Sequence, residues 1–311
     1  MSNPRIGLAL GSGAARGWAH IGVIQALAEV GIKPDIVCGS SIGALVGAAY
    51  VAGEFETLED WARSITWQKI VRFLDVSLSG GGLIEGRRLM SFFQELHEDA
   101  PIESFHKPFT AVATDLISGR EVWLREGSMI EAVRASIAMP GIFSPVRREE
   151  CYLIDGGVVN PVPVSACRAM GAQVIIAVNL NGDIVGRHGI PKRLALPEIN
   201  APEPRSDFLT RLSSDLPVGI RDSVNAIATQ LLRTSSGGPG YFDVIAGAIN
   251  IMQDHITRSR MAGEPPDVML TPRLSEIGLL EFNRADVAIE EGRRSALRML
   301  PALKDAVGLS T

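Results

Sequence analysis

Gly39-Ser40-Ser41-Ile42-Gly43 lies between two apolar runs of different kinds. Asp35-Ile36-Val37-Cys38, before it, is short and rich in β-branched residues, which suits a buried strand. Ala44-Leu45-Val46-Gly47-Ala48-Ala49-Tyr50, after it, is apolar on every face, as in a buried helix. A G-x-S-x-G between strand and helix is the pattern of a nucleophile elbow. Such a turn is too sharp for side chains on its flanks, so Gly39 and Gly43 suit it. Ser41 is then expected to stand exposed over a helix N-terminus. A glycine-lined packing turn would show the same five residues.

A second glycine-rich turn lies upstream. Ile6-Gly7-Leu8-Ala9-Leu10 has the character of a first strand, and Gly11-Ser12-Gly13-Ala14-Ala15-Arg16-Gly17 follows it. An amphipathic helix is predicted from about Trp18 to Val30, with Gly31 as its stop. Amides of a turn just before a helix point outward and bind negative charge. Two ligands suit it: a nucleotide phosphate, or the oxyanion of an acyl-transfer intermediate. The nucleotide is the weaker candidate. Arg16 stands where G-x-G-x-x-G needs its third glycine, Cys38 occupies the place of a ribose-binding acid, and no G-K-[ST] follows. Adjacent βα turns of a parallel sheet lie side by side at the carboxyl ends of the strands. That would bring Ser41 beside the amides of Ser12 to Ala14. Gly13 is expected at positive φ, where a β-branched residue is costly.

A third element, Tyr152-Leu153-Ile154-Asp155-Gly156-Gly157, is a short apolar strand that ends in an acid and two glycines. Asp155 sits where a sheet delivers reactive groups, and Gly156 and Gly157 allow close backbone approach. An ordinary Asp-Gly-Gly turn fits the same residues.

Taken together, the run from Gly7 to Val23, the G-x-S-x-G and the Asp-Gly-Gly resemble the patatin-like phospholipase family, in particular small bacterial members of the RssA type related to the catalytic domain of neuropathy target esterase. The likeness covers residues 5 to 180 well and the remainder loosely. It implies a three-layer α/β fold with a mainly parallel sheet flanked by helices. It also implies a Ser–Asp dyad with no catalytic histidine, in which Ser41 is the nucleophile and Asp155 the base. The amides of Ser12, Gly13 and Ala14 would form the oxyanion hole, with Gly11, Arg16 and Gly17 as supporting loop. Ser12 and Ala14 stand where relatives often carry glycine; both are small and keep their amides. The implied reaction is hydrolysis of phospholipid or lysophospholipid acyl esters to free fatty acid. The residues themselves argue only for acyl-ester hydrolysis. A non-catalytic regulator on the same fold is the alternative.

At 311 residues the chain has room for one large or two small domains, and 46% hydrophobic content is ordinary for a core-forming protein. A net charge of −5 without a Lys/Arg-rich block argues against nucleic acid as a partner. Cys38, Cys151 and Cys167 share no C-x-x-C spacing, which fits a reducing compartment. No early stretch has the form of a signal peptide and no run approaches the roughly 20 apolar residues of a membrane span. Cytoplasm is the expected compartment, compatible with transient contact at a membrane surface; oligomeric state is not readable. No residue cluster has metal-ligand spacing, so neither metal nor cofactor is expected.

Strands and helices alternate through residue 180. Strands are expected at Phe109–Asp115, Glu121–Leu124 and Val174–Val178, and helices at 128–138 and Val164–Met170. Residues 181–217 form a proline-rich segment, with Gly189-Ile190-Pro191-Lys192-Arg193 and Pro202-Glu203-Pro204-Arg205. Loops of that length are functional or mobile. Residues 218–311 are expected as a helical part packed on the core. Its stripes are Ile220, Val224, Ile227, Leu231 and then Phe242, Ile245, Ile249, Met252, Ile256. Asp267–Leu270 suits a last strand, and Asn283–Lys304 a single charged, exposed helix. In a Ser–acid–His triad the histidine would follow Asp155, which leaves His188 and His255; both fit solvated surface positions. His20 is expected to be structural. Arg16 suits either a phosphate-bearing head group or an anchor for the glycine loop.

Overall fold

Strand β1, Ile6–Leu10, sits at the centre of the sheet because its apolar residues have helices on both sides. The computed structural model describes residues 4–66, 69, 99–184 and 241–309. β2 (Ile36–Ser40) and β7 (Val174–Val178) flank β1 in parallel, and every residue of both is buried. Continuous apolar runs of this kind are what a strand covered on both faces requires. β3 (Phe109–Asp115) joins β2 in parallel, and β8 (Val268–Leu270) joins β7 in parallel. β4 (Glu121–Leu124) and β6 (Cys151–Asp155) pair with β3 in antiparallel fashion, and β5 (Val146–Arg148) pairs with β6. Hydrogen-bonded neighbours run β5-β6-β3-β2-β1-β7-β8, with β4 also on β3. The sheet is mixed, mostly parallel and flanked by helices.

Alternation along the strands divides the core. Leu8, Leu10, Val37 and Ile176 face one apolar cluster with Trp18, Ile24, Leu45 and Val46. Ala9, Ile36, Cys38, Ile175 and Ala177 face another with Val164 and Cys167. The first is covered by α1 (Ala19–Glu29), α2 (Ile42–Ala52), α3 (Phe55–Ser64) and α4 (Met129–Ser136); the second by α5 (Val164–Ala169). Local chemistry sets the ends. Ser128 Oγ caps α4 by accepting Glu131 N–H, and Gly53 ends α2 at φ 83°.

α6 (Tyr241–Gly263) precedes β8. The single helix expected over Asn283–Lys304 is two, α7 (Ala285–Arg298) and α8 (Leu300–Val307). Pro301, in the first turn of α8, cannot continue a helix already under way. α7 is not an exposed helix either. Ala288, Ile289, Gly292 and Ala296 are buried on it. It lies backbone to backbone on α1: a Cβ on Gly22 would stand 1.8 Å from Ile289 O, and one on Gly292 1.9 Å from Ala19 O.

Two compact units are distinguished, Met1–Val185 with Ile251–Thr311, and Gly186–Asn250. Residues 185–240 lie outside the described residues. They hold most of the proline-rich segment, the stripe from Ile220 to Leu231, and His188. Among the described residues, no helix is long and apolar enough to cross a membrane.

Candidate active site

Strand β3 brings the two chemical motifs together. Ala111 and Val112 pair with β2 and with β4 at once, so those strands occupy opposite edges of β3. Ala113 and Thr114 pair with β4 and with β6 at once. β2 and β6 therefore share one edge, end to end. Ser40 pairs with Val112, and Asp155 pairs with the next residue, Ala113. The parallel strand carrying the elbow and the antiparallel strand carrying the acid thus run head-on and deliver their last residues to one place.

The outcome is a direct contact. Ser41 Oγ donates to Asp155 Oδ2 at 2.5 Å. Ser41 lies at φ 57°, ψ −126°, a region that non-glycine residues rarely adopt. Close approach requires the glycine at 43, where a Cβ would stand 2.2 Å from Leu10 O. Ser41 was expected to be exposed but is buried, at 3%. Asp155 is at 1%. Burial pushes its carboxyl up to about 6, against the opposing pull of the Ser41 hydroxyl and the Gly157 N–H. That amide donates to Oδ1 at 2.7 Å, leaving Oδ2 for Ser41. The Asp155 carboxyl is therefore held about one pH unit below neutrality.

The glycine turn departs from expectation in two ways. The Ser12 N–H, expected as an oxyanion donor, is occupied: it donates to Pro161 O at 2.8 Å. The Gly11 and Ala15 amides are likewise bonded, to Val178 O and Leu279 O. Gly13 and Ala14 are the turn residues whose N–H groups have no acceptor among the described residues. The positive φ falls on Ala14, at 49°, while Gly13 is extended at φ 166°. Gly13 is required for space instead, since a Cβ there would meet the Leu180 side chain at 2.7 Å.

Buried groups secure this turn. His20 Nε2–H donates to Gly11 O at 2.8 Å, and burial lowers the imidazole to about 4, so it is neutral at physiological pH. Arg16 is buried, and burial lowers its guanidinium to about 10, which leaves it charged. Asn181 Nδ2 donates to Gln253 Oε1 at 2.8 Å and to Ser12 O at 3.4 Å. Close approach is required at Gly17, Gly39 and Gly156, where a Cβ would stand 2.2 Å from Ile42 Cγ1, 2.4 Å from Ala44 Cα and 2.1 Å from Val112 O. It is required also at Gly157, where one would stand 2.5 Å from Gln253 Nε2 and 2.9 Å from Ser12 Oγ.

Sequence patterns gave no signal for three contributors. Ser136 Oγ accepts the Ser41 N–H at 2.9 Å, Ala138 O accepts the Asp155 N–H at 2.9 Å, and Thr114 Oγ1 donates to Asp155 O at 2.9 Å. Each is an ordinary residue: Thr114 on β3, Ser136 at the end of α4 and Ala138 two residues beyond it. Of the histidines, His255 is exposed and on α6, His106 lies before β3, and His97 and His188 fall outside the described residues. Among the described residues no group of three or more His, Cys, Asp or Glu side chains is arranged to hold a metal ion.

Comparison with known proteins matches the chain to a family. The family model described as patatin-like phospholipase matches residues 8–168. Uncharacterized NTE family proteins of Mycobacterium bovis and Mycobacterium tuberculosis are 34% identical, over 97% of this chain and 93% of theirs. Lysophospholipase NTE1 of Pyricularia oryzae is 28% identical over 96% of this chain, which spans 19% of that protein. Patatin-like phospholipase domain-containing protein 7 of Rattus norvegicus is 32% identical over 56% of this chain and 13% of its own length.

Proposed function

The chain belongs to the patatin-like phospholipase family, and on that premise we propose that it is a serine hydrolase of phospholipid or lysophospholipid acyl esters, working through a Ser41–Asp155 dyad. The observation that carries this reading is the 2.5 Å contact from Ser41 Oγ to Asp155 Oδ2. A serine hydroxyl is a weak nucleophile until a base accepts its proton. In the proposed cycle Ser41 Oγ attacks the ester carbonyl carbon and its proton passes to Asp155 Oδ2. The oxyanion so formed takes hydrogen bonds from the Gly13 and Ala14 N–H groups. Collapse breaks the bond to the alcohol, which leaves with the proton from Asp155. Water then attacks the acyl-enzyme, gives a proton to Asp155, and the fatty acid departs as that proton returns to Ser41. The lipid class is supported by the family and by relatives named as lysophospholipase and phospholipase-domain proteins. Contact with a membrane surface and a cytoplasmic site of action belong to the same proposal.

Gly13→Val tests the oxyanion assignment. The added side chain collides with Leu180 and swings the turn amides away. Turnover of a soluble ester is expected to fall on the order of 10²–10³-fold, the usual cost of one preorganised donor. Unchanged turnover would put the donors elsewhere.

The pH profile tests the base. Asp155 accepts a proton only when ionised, so kcat/KM should rise with pH through about 6 and then level. An inflection there resembles a histidine's. It should persist in each of the five His→Gln variants. If His188→Gln or His255→Gln drops to the Ser41→Ala baseline while folded, the protein is a triad hydrolase and the dyad is wrong.

A further inference from the structure

The parallel ladder between β2 and β3 is interrupted where Ser41 stands. Val37 pairs with Phe109, and its N–H donates to Pro108 O at 3.0 Å. Each such rung runs from a β2 amide to the carbonyl one residue before its partner, and rungs recur every second residue. Continuing the series takes Gly39 to Thr110 O and Ser41 to Val112 O. The last rung does not form directly, because the chain turns away at φ 57°. Ser136 Oγ stands in the gap. It accepts the Ser41 N–H at 2.9 Å and donates its own hydrogen to Val112 O at 2.6 Å.

A hydroxyl suits this position, since it is both donor and acceptor. Ser136 is fully buried at the end of α4, so water cannot substitute for it freely. Two residues later Ala138 O accepts the Asp155 N–H at 2.9 Å. One three-residue stretch therefore grips the main chains of both residues that share the 2.5 Å contact. Strained backbone persists only where its surroundings over-determine it, and Ser136 supplies that determination at the elbow.

We infer that Ser136 is a positioning residue: with Ala138 it clamps the Ser41 and Asp155 main chains at the separation that proton transfer needs. This rests on the hydrolase reading above. Removing the hydroxyl leaves the Ser41 N–H and Val112 O facing one another, buried and unbonded. The elbow then relaxes and Ser41 Oγ drifts from Oδ2.

The test is Ser136→Ala, assayed on a soluble acyl ester with rates normalised to folded protein. We expect kcat to fall on the order of 10²-fold, the cost of a misplacement of about 1 Å, with KM held within a factor of two. Labelling of Ser41 by a fluorophosphonate should slow in parallel. Thermal unfolding is followed alongside: a residue that only supports the fold would lower the midpoint and leave kcat per folded molecule unchanged. Should the alanine variant not fold, Ser136→Cys carries the same test, because a thiol fills the space but is a weak donor and acceptor. A folded variant of either kind with kcat within a factor of two of wild type overturns the clamp and leaves the dyad standing. A wild-type protein that hydrolyses no ester and takes no phosphonate overturns the hydrolase reading itself, and the clamp with it.

Discussion

Ser41→Ala is expected to abolish ester hydrolysis and to leave a folded protein. The loss should be on the order of 10⁴-fold or more, as in serine hydrolases stripped of their nucleophile. Little else changes. Alanine keeps the Cβ, so the elbow retains its φ of 57° and its amide retains the bond to Ser136. One electrostatic consequence follows. The Ser41 hydroxyl favours ionised Asp155, so its removal should raise that carboxyl above its present value of about 6. The check has two parts. Steady-state assays compare the variant with wild type on an acyl ester. Mass spectrometry then places a fluorophosphonate adduct on the wild-type chain, and it should fall on Ser41. Ser40 is the neighbour to exclude. It is fully buried at the end of β2, and its Oγ lies beside Gly156, where an added Cβ would stand 2.8 Å from it. An adduct on Ser40, or undiminished turnover by Ser41→Ala, would defeat the assignment. A non-catalytic regulator on the same fold would take no label at all.

Much of this architecture was legible because it is written locally. Strand–turn–helix around Ser41, the glycine turn after Leu10 and the acid at the end of β6 each occupy a few consecutive residues with a distinctive pattern. Buried parallel strands such as Ile36–Ser40 and Val174–Val178 also announce themselves, as unbroken apolar runs. What stayed hidden depends on contacts across long separations. The Ser12 amide looked available because nothing near it in sequence predicts Pro161, whose carbonyl takes it. Ser136 carries no local mark, since a serine ending a helix is commonplace. The head-on meeting of β2 and β6 follows from the direction of β6, and that is set by the whole connection from Leu116 to Glu150. The basicity of Asp155 was equally invisible. An ordinary aspartate near 3.9 is a poor base at neutral pH, and only burial lifts this one to about 6. A break after α7 was readable in Pro301, but amphipathic charge on both sides of it masked the boundary.

Asp155→Asn should separate catalysis from stability in opposite directions. Asparagine keeps the shape of the site. Its oxygen can accept the Gly157 N–H now bonded at 2.7 Å, and its NH₂ can donate to Ser41 Oγ. It cannot take the proton from Ser41. Loss of a general base costs about 10²–10⁴-fold, and retention of a tenth of the wild-type rate would show that Asp155 is not that base. The inflection near pH 6 should vanish from whatever activity is left. Stability moves the other way. The folded protein holds Asp155 at about 6, above its ordinary 3.8, so folding favours the protonated form. The stability this group lends is fully present below pH 3.8 and is lost as pH rises through 6. At pH 8 the wild type therefore carries a buried charge that costs on the order of 3 kcal/mol, about two pKa units at 1.36 kcal/mol each. The asparagine variant carries none. Denaturant unfolding at pH 4 and pH 8 should show the variant gaining relative to wild type as pH rises, by up to roughly that amount. A difference that is flat across this range would mean that Asp155 is not held at a raised pKa, and the base would then have to work from the ordinary carboxylate range.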